Sequence, residues 1–385
     1  MTGLALEGVR VIDLTAYLSG PYCSMILADH GADVIKIERP QDGDEARRMP
    51  PFINGESAPF MLWNRNKRSV ALDLKDGRDR ALCLELVREA DVFIENFKPG
   101  VADRLSLGYD ALAALNPRLI YCSISGFGQT GPYRARGGFD LMVQAMSGIM
   151  SVNGPEDGPP HRVPMAIADI GAGMFAAIGI LAALQARTRT GRGQQVDTAL
   201  YDAALSFGLY EAAHFFATGE NPPRLGQAHR ASAPYQVFRT SDGWVTIGAN
   251  TQALWAKFCE VIGKGELAGD TRFRDNAGRV ANRPALAALV QDALAAGTTR
   301  EWMARFEAAE IPAGPVQTYD QVFADPQVQA RSMAAEIEHP SAGKTRTLGI
   351  PVKLSDTPGA LRRPAPKLGE HTEEVLSDLR RRRRK

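Results

Sequence analysis

Short β-rich runs alternate with helical patterns through the first third of the chain, and that alternation leaves few folds open. Val9–Thr15 reads as a strand, Ala16–Gly20 as a loop, and Pro21–Gly31 as a helix with Pro in its first turn and Gly at its end. A second strand is expected at Asp33–Glu38. Further strands are expected at Ser69–Leu74, Asp91–Glu95 and Leu119–Ser123, with helices at about Arg78–Ala90 and Tyr109–Leu115. Strand–helix–strand units at this spacing predict an α/β fold with a mostly parallel, doubly wound, Rossmann-like sheet. Ligands of such sheets sit beyond the carboxyl ends of the strands. The loops that end the strands are therefore the places to search: Leu18–Pro21, Arg39-Pro40, Asn96–Gly100 and the glycine-punctuated Ser125–Pro132.

One carboxylate stands out further on. Met165–Ala168 reads as a strand end, and a long helix of small residues follows Asp169 to about Ala186, with Gly171 and Gly173 permitting close approach. An Asp at that junction can cap the helix through its side-chain oxygens or act as a nucleophile at the mouth of a cleft. A sharp turn at Thr190–Gln195 leads to a second helix at about Thr198–Thr218. A polar link at Gly219–Ser232 precedes a hairpin of Tyr235–Thr240 and Trp244–Ile247 around Ser241–Gly243. Helices are expected near Thr251–Ile262, Arg283–Ala296 and Thr299–Ala309. Past about Asp325 the chain reads as extended and Pro-rich, with one last helix at Gly369–Leu379. The domain plan is thus a large α/β domain at 1–218, a linker at 219–232, a smaller α/β domain at 233–325, and a return segment at 326–385 that completes the large domain.

The composition excludes several classes. Lys and Arg number 45 against 44 Asp and Glu, so no global field draws the protein to nucleic acid. The basic run Arg380–Lys385 reads as a solvated end. Cys23, Cys83, Cys122 and Cys259 are scattered, as expected of buried free thiols in a reducing compartment. The first residues lack a basic segment followed by an apolar one, and the apolar run Met174–Leu184 is too short to span a bilayer, which takes about 20 residues. A cytoplasmic protein without a membrane partner is expected. No pair among the six histidines has metal-ligand spacing, so no metal is expected; His229 is a candidate for facing a cleft. Gly126–Gly131 fits G-x-G-x-x-G and Gly343–Thr345 fits G-K-T, but neither opens a predicted helix and no full G-x-x-x-x-G-K-[ST] loop is present, which argues against dinucleotide or nucleoside-triphosphate chemistry.

Gly31–Pro40, Asn66–Ser69 with Leu72–Lys75, Glu95–Phe97, Gly126–Pro132, Gly191–Gln194 and Gly369–Thr372 match, in order and spacing, the class III CoA-transferases (the CaiB/BaiF family). The resemblance covers essentially the whole chain, and within the family it is greatest to dicarboxylate-using members such as the succinyl-CoA:glutarate CoA-transferases. It implies transfer of CoA from an acyl-CoA, with succinyl-CoA the expected donor, to a carboxylic acid, through a mixed anhydride and a thioester on Asp169. Coenzyme A thioester enters as substrate and no permanently bound cofactor is implied. By the same resemblance Arg39, Lys75 and Arg104 are the candidate phosphate cations, and Leu72, Asn96 and Phe97 line the adenine and ribose. Asp140 is an acid near the nucleophile or a cap of its own helix, and Gly248, in Gly248–Asn250, is the candidate oxyanion donor or an ordinary strand-to-helix turn. An interlocked homodimer is implied as well.

Departures from the family pattern narrow the expectation. Relatives that racemise 2-methylacyl-CoA carry His where this chain has Phe139, which cannot move a proton. Leu18 and Phe139 stand where formyl-CoA:oxalate transferases carry Gln and Tyr, so oxalate is not the expected acceptor. Arg47 or Arg48 is a candidate fork for a distal carboxylate. The alternatives carried forward are a racemase and a non-catalytic CoA-binding module.

Overall fold

The structure is a computed structural model that describes residues 3–383. The chain divides into two units, Met1–Met150 with Arg162–Ala217 and Pro326–Lys385, and Ser151–His161 with Thr218–Asp325.

The first unit is built on six parallel strands. Across the sheet they run Lys67–Ala71, Asp33–Glu38, Arg10–Asp13, Val92–Glu95, Ile120–Ser125 and Gln195–Ala199. Numbered along the chain this is the doubly wound order 3-2-1-4-5-6, whose direction reverses between Arg10–Asp13 and Val92–Glu95. Alternation of side chains sorts the strands onto two apolar layers. Val11, Val34, Val92, Ile94, Ile120, Cys122 and Ile124 face the helices Ser19–Asp29, Ile167–Thr190 and Leu200–Ser206. Ile12, Ile35, Ile37, Phe93 and Tyr121 face Gly77–Arg88, Tyr109–Leu115 and the C-terminal helix Thr372–Arg383, which contributes Val375 and Leu379.

Several boundaries differ from the sequence reading. No strand precedes Asp169; the helix begins at Ile167 and runs 24 residues to Thr190, long and apolar enough by length and composition to cross a bilayer. Its small residues Ala168, Gly171, Ala172, Gly173, Ala176, Ala177 and Ala183 are buried, together with Ile180. The stretch from Thr198 is not one helix. It opens with the sixth strand and then breaks into Leu200–Ser206 and Leu209–Thr218 around Gly208. Within the return segment, Ala334–His339 and Gly343–Leu348 pair as an antiparallel hairpin. That segment is tied down by Arg65, which pairs with Asp29 at 2.7 Å and donates to the Leu348 carbonyl at 2.5 Å. His371 begins the final helix, donating to the Ser69 carbonyl at 2.9 Å and accepting the Ser69 amide at Nδ1. Arg384 and Lys385 of the basic run lie outside the described residues.

The second unit is a three-stranded antiparallel sheet, ordered Ala313–Pro315, Trp244–Gly248 and Tyr235–Arg239, packed on helices through Trp255, Phe258, Phe273, Trp302 and Phe306. Ser151–His161 joins it through Arg224, which donates to the carbonyls of Pro155 at 3.2 Å and Gly158 at 2.8 Å.

Candidate active site

Asp169 is the third residue of its helix, not its cap. Ala166 holds the cap position and offers no side-chain acceptor. The open amides of that first turn need a partner, and Asp140 supplies one, accepting the Ala168 amide at 2.8 Å. Asp140 is itself the first residue of the helix Asp140–Met146, so it caps the neighbouring helix and not its own. Its second oxygen accepts from Gln144 at 2.6 Å, and Gln144 binds Val163 through both an acceptor (2.8 Å) and a donor (3.2 Å). The irregular segment entering the nucleophile helix is thereby held in place without any sheet pairing.

Two carboxylates now stand together at one helix start. Burial, and then the like charge of Asp140, push Asp169 up to about 6, while a hydrogen bond from the Ser19 hydroxyl works in the opposite direction. The helix carrying Ser19 approaches closely because position 173 has no side chain. A Cβ on Gly173 would lie 2.5 Å from the Ser19 carbonyl oxygen, and one on Gly171 would lie 2.6 Å from the Phe207 ring.

The reversal point of the sheet opens into a cavity of about 450 Å³ lined by Thr15, Tyr17, Arg39, Leu72, Lys75, Asn96 and Phe97, among others. Five of the six binding candidates are therefore gathered at one place. Arg104 is the exception: it ends the short helix Val101–Arg104, whose Val101 lines the cavity together with Leu105, while Arg104 does not. Arg39 is half-exposed and bonds Glu45 at 2.6 Å, a second group on the same wall. Asn96 is committed to the protein backbone, accepting the Ala16 amide at 2.9 Å and donating to the Ala16 carbonyl at 2.8 Å. Beside it Glu95 accepts the Phe97 amide at 2.8 Å, and burial pushes its carboxyl up to about 7.

Under the loop Leu14–Ser19 lies an ionic cluster within the apolar layer. Asp13 accepts from Thr15 (amide 2.9 Å, hydroxyl 2.5 Å), from Ser24 at 2.6 Å and from Lys67 at 3.2 Å. Burial opposes its ionisation, but Lys67, Lys36 and the two hydroxyls hold it down to about 2. Lys36 donates to the Thr15 carbonyl at 2.6 Å and pairs with Asp44 at 2.9 Å, and Asp44 accepts the Tyr17 amide at 3.0 Å. This cluster is not singled out from the sequence, and Ser19 enters there only as part of the loop Leu18–Pro21. The one available signal is Lys36, a charge in the middle of an otherwise apolar strand.

Other candidates are placed differently. Arg47 is not free to hold a ligand: it forms a two-pronged pair with Glu38 (2.7 Å each), donates to the Pro366 carbonyl and lies over the Phe60 ring. Arg48 is exposed and pairs with Asp42 at 3.3 Å. Gly248 ends a strand of the second unit. Its amide donates to the Pro312 carbonyl at 3.0 Å, and that of Ala249 to Pro234 at 3.1 Å, so both are already engaged. Gly248 and His229 line one groove of that unit, where His229 packs on Tyr235 and its Nδ1 accepts the Ala231 amide at 3.1 Å.

Fold and site together define a Rossmann-like α/β enzyme. The chain belongs to CoA-transferase family III, which it matches over residues 6–372, and it is a class III enzyme that moves CoA between an acyl-CoA and a carboxylic acid. It is 40% identical to the succinyl-CoA:glutarate CoA-transferase of Mus musculus over 97% of this chain and 86% of that one. It is 43% identical to the acetyl-CoA:oxalate CoA-transferase of Acetobacter aceti, over 94% and 93% respectively. Among solved structures, a CaiB/BaiF family protein from Brucella suis superposes with a TM-score of 0.88 at 41% identity, covering 98% of this chain and all of that one.

Proposed function

We propose that the chain transfers CoA to a dicarboxylic acid by double displacement on Asp169. The Asp169 carboxylate attacks the thioester carbonyl of the donor, the C–S bond breaks, and a mixed anhydride and CoA thiolate result. The thiolate then attacks the Asp169 carbonyl, releasing the donor acid and leaving an aspartyl-CoA thioester. The acceptor carboxylate attacks that thioester, giving a second anhydride and thiolate, and the thiolate takes the acceptor acyl group as new acyl-CoA. Asp169 returns as carboxylate. No step moves a proton to or from carbon, which suits a site with Phe139 beside its acids.

The observation that carries this reading is the state of Asp169. A carboxylate desolvated to about 6 is ionised at neutral pH yet poorly hydrated, as an attacking group requires. The cavity at the sheet reversal suits CoA, with Arg39 and Lys75 toward its phosphates and Leu72, Asn96 and Phe97 as walls. Asn96 supplies wall and loop anchorage there, because its amide is already used by Ala16. Arg104 would need to turn inward to take part. Glutarate and oxalate, named for the two relatives, are both dicarboxylates, which supports that acceptor class. Succinyl-CoA is the proposed donor on the mouse enzyme's name.

A homodimer is part of the proposal. Met174, Phe175, Ile178 and Leu181 form an exposed apolar row on the nucleophile helix, and Leu205, Leu209 and Phe216 extend exposed apolar surface along the next two helices. The four buried free thiols suit a reducing, cytoplasmic setting.

The test mixes enzyme with succinyl-CoA or acetyl-CoA and a panel of mono- and dicarboxylic acids, following acyl-CoA species by mass spectrometry. New dicarboxylyl-CoA from the wild type and none from Asp169→Ala is the expected outcome. Products with monocarboxylic acids alone would refute the acceptor class. Deuterium entering a 2-methylacyl-CoA from solvent would favour the racemase.

A further inference from the structure

The helix Asp140–Met146 turns apolar side chains outward and an amide inward. Leu141, Met142 and Met146 are exposed, whereas Gln144 is 0% exposed beside Val143. A buried side-chain amide is tolerated when both its ends are paired, and here they are. Its Oε1 accepts the Val163 amide at 2.8 Å. Its Nε2 donates to Asp140 at 2.6 Å, to the Val163 carbonyl at 3.2 Å and to the Met165 carbonyl at 3.4 Å. Asp140 lies one turn earlier on the same face, and its other oxygen accepts the Ala168 amide at 2.8 Å. The Met165 carbonyl also accepts the Ile167 amide at 2.8 Å. Gln144 thus grips the segment that enters the nucleophile helix and, through Asp140, the first turn itself, where Asp169 follows Ala168.

Resting on the reading of Asp169 as nucleophile, we infer that Gln144 is a positioning residue for the transfer, fixing the start of the helix Ile167–Thr190 and so aiming the Asp169 carboxylate at the thioester. The pattern of partners dictates the residue type. The Val163 amide needs an acceptor, while Asp140 and the two carbonyls need donors, and a primary amide offers both without a charge. Gln144 does not line the cavity that suits CoA, so its effect falls on the chemical step and not on acyl-CoA binding. The helices packed closest against Asp140–Met146 are Ile167–Thr190 and Leu200–Ser206. Their titratable or charged groups are Asp169, with Arg187 and Arg189 at the far end, and Tyr201 and Asp202. On the entering segment, Arg162 donates to the Pro164 carbonyl at 3.3 Å.

The test measures kcat and the KM for acyl-CoA between pH 6 and pH 8.5 for wild type, Gln144→Leu, Gln144→Glu and Asp169→Ala. The substrates are succinyl-CoA with glutarate and acetyl-CoA with oxalate, and melting curves first establish that each variant is folded. Gln144→Leu can neither accept nor donate. Its kcat should fall about 10–100-fold, the scale of a misplaced reacting group, with KM within about twofold of wild type. Gln144→Glu should switch with pH. While the introduced carboxyl shares one proton with Asp140, it donates to Asp140, accepts from Val163, and leaves the local charge as it was. Once that proton leaves, two carboxylates oppose each other. The kcat of Gln144→Glu relative to wild type should therefore be close to one at pH 6 and fall roughly tenfold by pH 8.5. A Gln144→Leu enzyme with wild-type kcat, or with only KM altered, overturns the role of Gln144 while Asp169→Ala is dead. So does a Gln144→Glu ratio that stays flat with pH, which decides the matter alone should Gln144→Leu fail to fold. Turnover by Asp169→Ala overturns the nucleophile first and the Gln144 role with it.

Discussion

An Asp169→Asn variant should lose activity and gain stability. The folded environment raises this carboxyl from 3.8 to about 6 through burial and the charge of Asp140. The sign follows from proton binding. Between those two values the folded state holds a proton that the unfolded state has released, so stability falls as pH rises through the window, and above about 6 the full penalty is present. That rise corresponds to about 3 kcal/mol at most, and residual solvent access at this half-buried site reduces the expected gain to about 1–3 kcal/mol. Asparagine keeps the shape, cannot ionise, and can still accept from Ser19. At pH 7.5 the melting temperature of Asp169→Asn should exceed that of wild type by roughly 2–6 °C, and most of that gain should be gone at pH 4. A variant no more stable than wild type at pH 7.5, or a gain independent of pH, would refute the claim that Asp169 is held in a strained ionisation state.

Asp140→Asn keeps an acceptor for the Ala168 amide but removes the like charge, so the acid limb of kcat/KM should move to lower pH; Asp140→Ala should in addition cost about 1 kcal/mol in chemical denaturation as the cap is lost. Gly173→Ala places a Cβ 2.5 Å from a backbone oxygen that cannot yield, so it should lower stability by about 2 kcal/mol and reduce kcat, measured by melting and turnover together. Arg47→Ala strands the buried Glu38 and should destabilise by about 3 kcal/mol while leaving the preference among acceptor acids unchanged.

What could be read from the sequence was whatever rests on local pattern. Asp33–Glu38 and Tyr109–Leu115 have the predicted bounds because a β-branched run and a compact apolar helix each declare themselves over a few residues. The sixth strand, Gln-Val-Asp-Thr-Ala at the sheet edge, exposes two of its five side chains and lacks the apolar signal of its neighbours. The hairpin in the return segment is likewise hidden by Glu, Lys and Arg on its open face. Asp169 stands out from the local pattern and takes its role from the resemblance, but the Asp140 carboxylate that shifts its chemistry reaches it only through the packing of their two helices. Arg47 shows the reverse: its type suited a carboxylate, and the carboxylate it holds is Glu38 of the same chain.

The central claim, covalent transfer through Asp169, is tested most directly by trapping the intermediate. Enzyme mixed with succinyl-CoA and no acceptor is quenched within seconds, digested and read by peptide mass spectrometry. A CoA thioester on the peptide containing Asp169, discharged on adding the acceptor acid and missing from Asp169→Ala, is the predicted result. Steady turnover with the peptide unmodified at every time point, or with the adduct on another residue, would contradict the account.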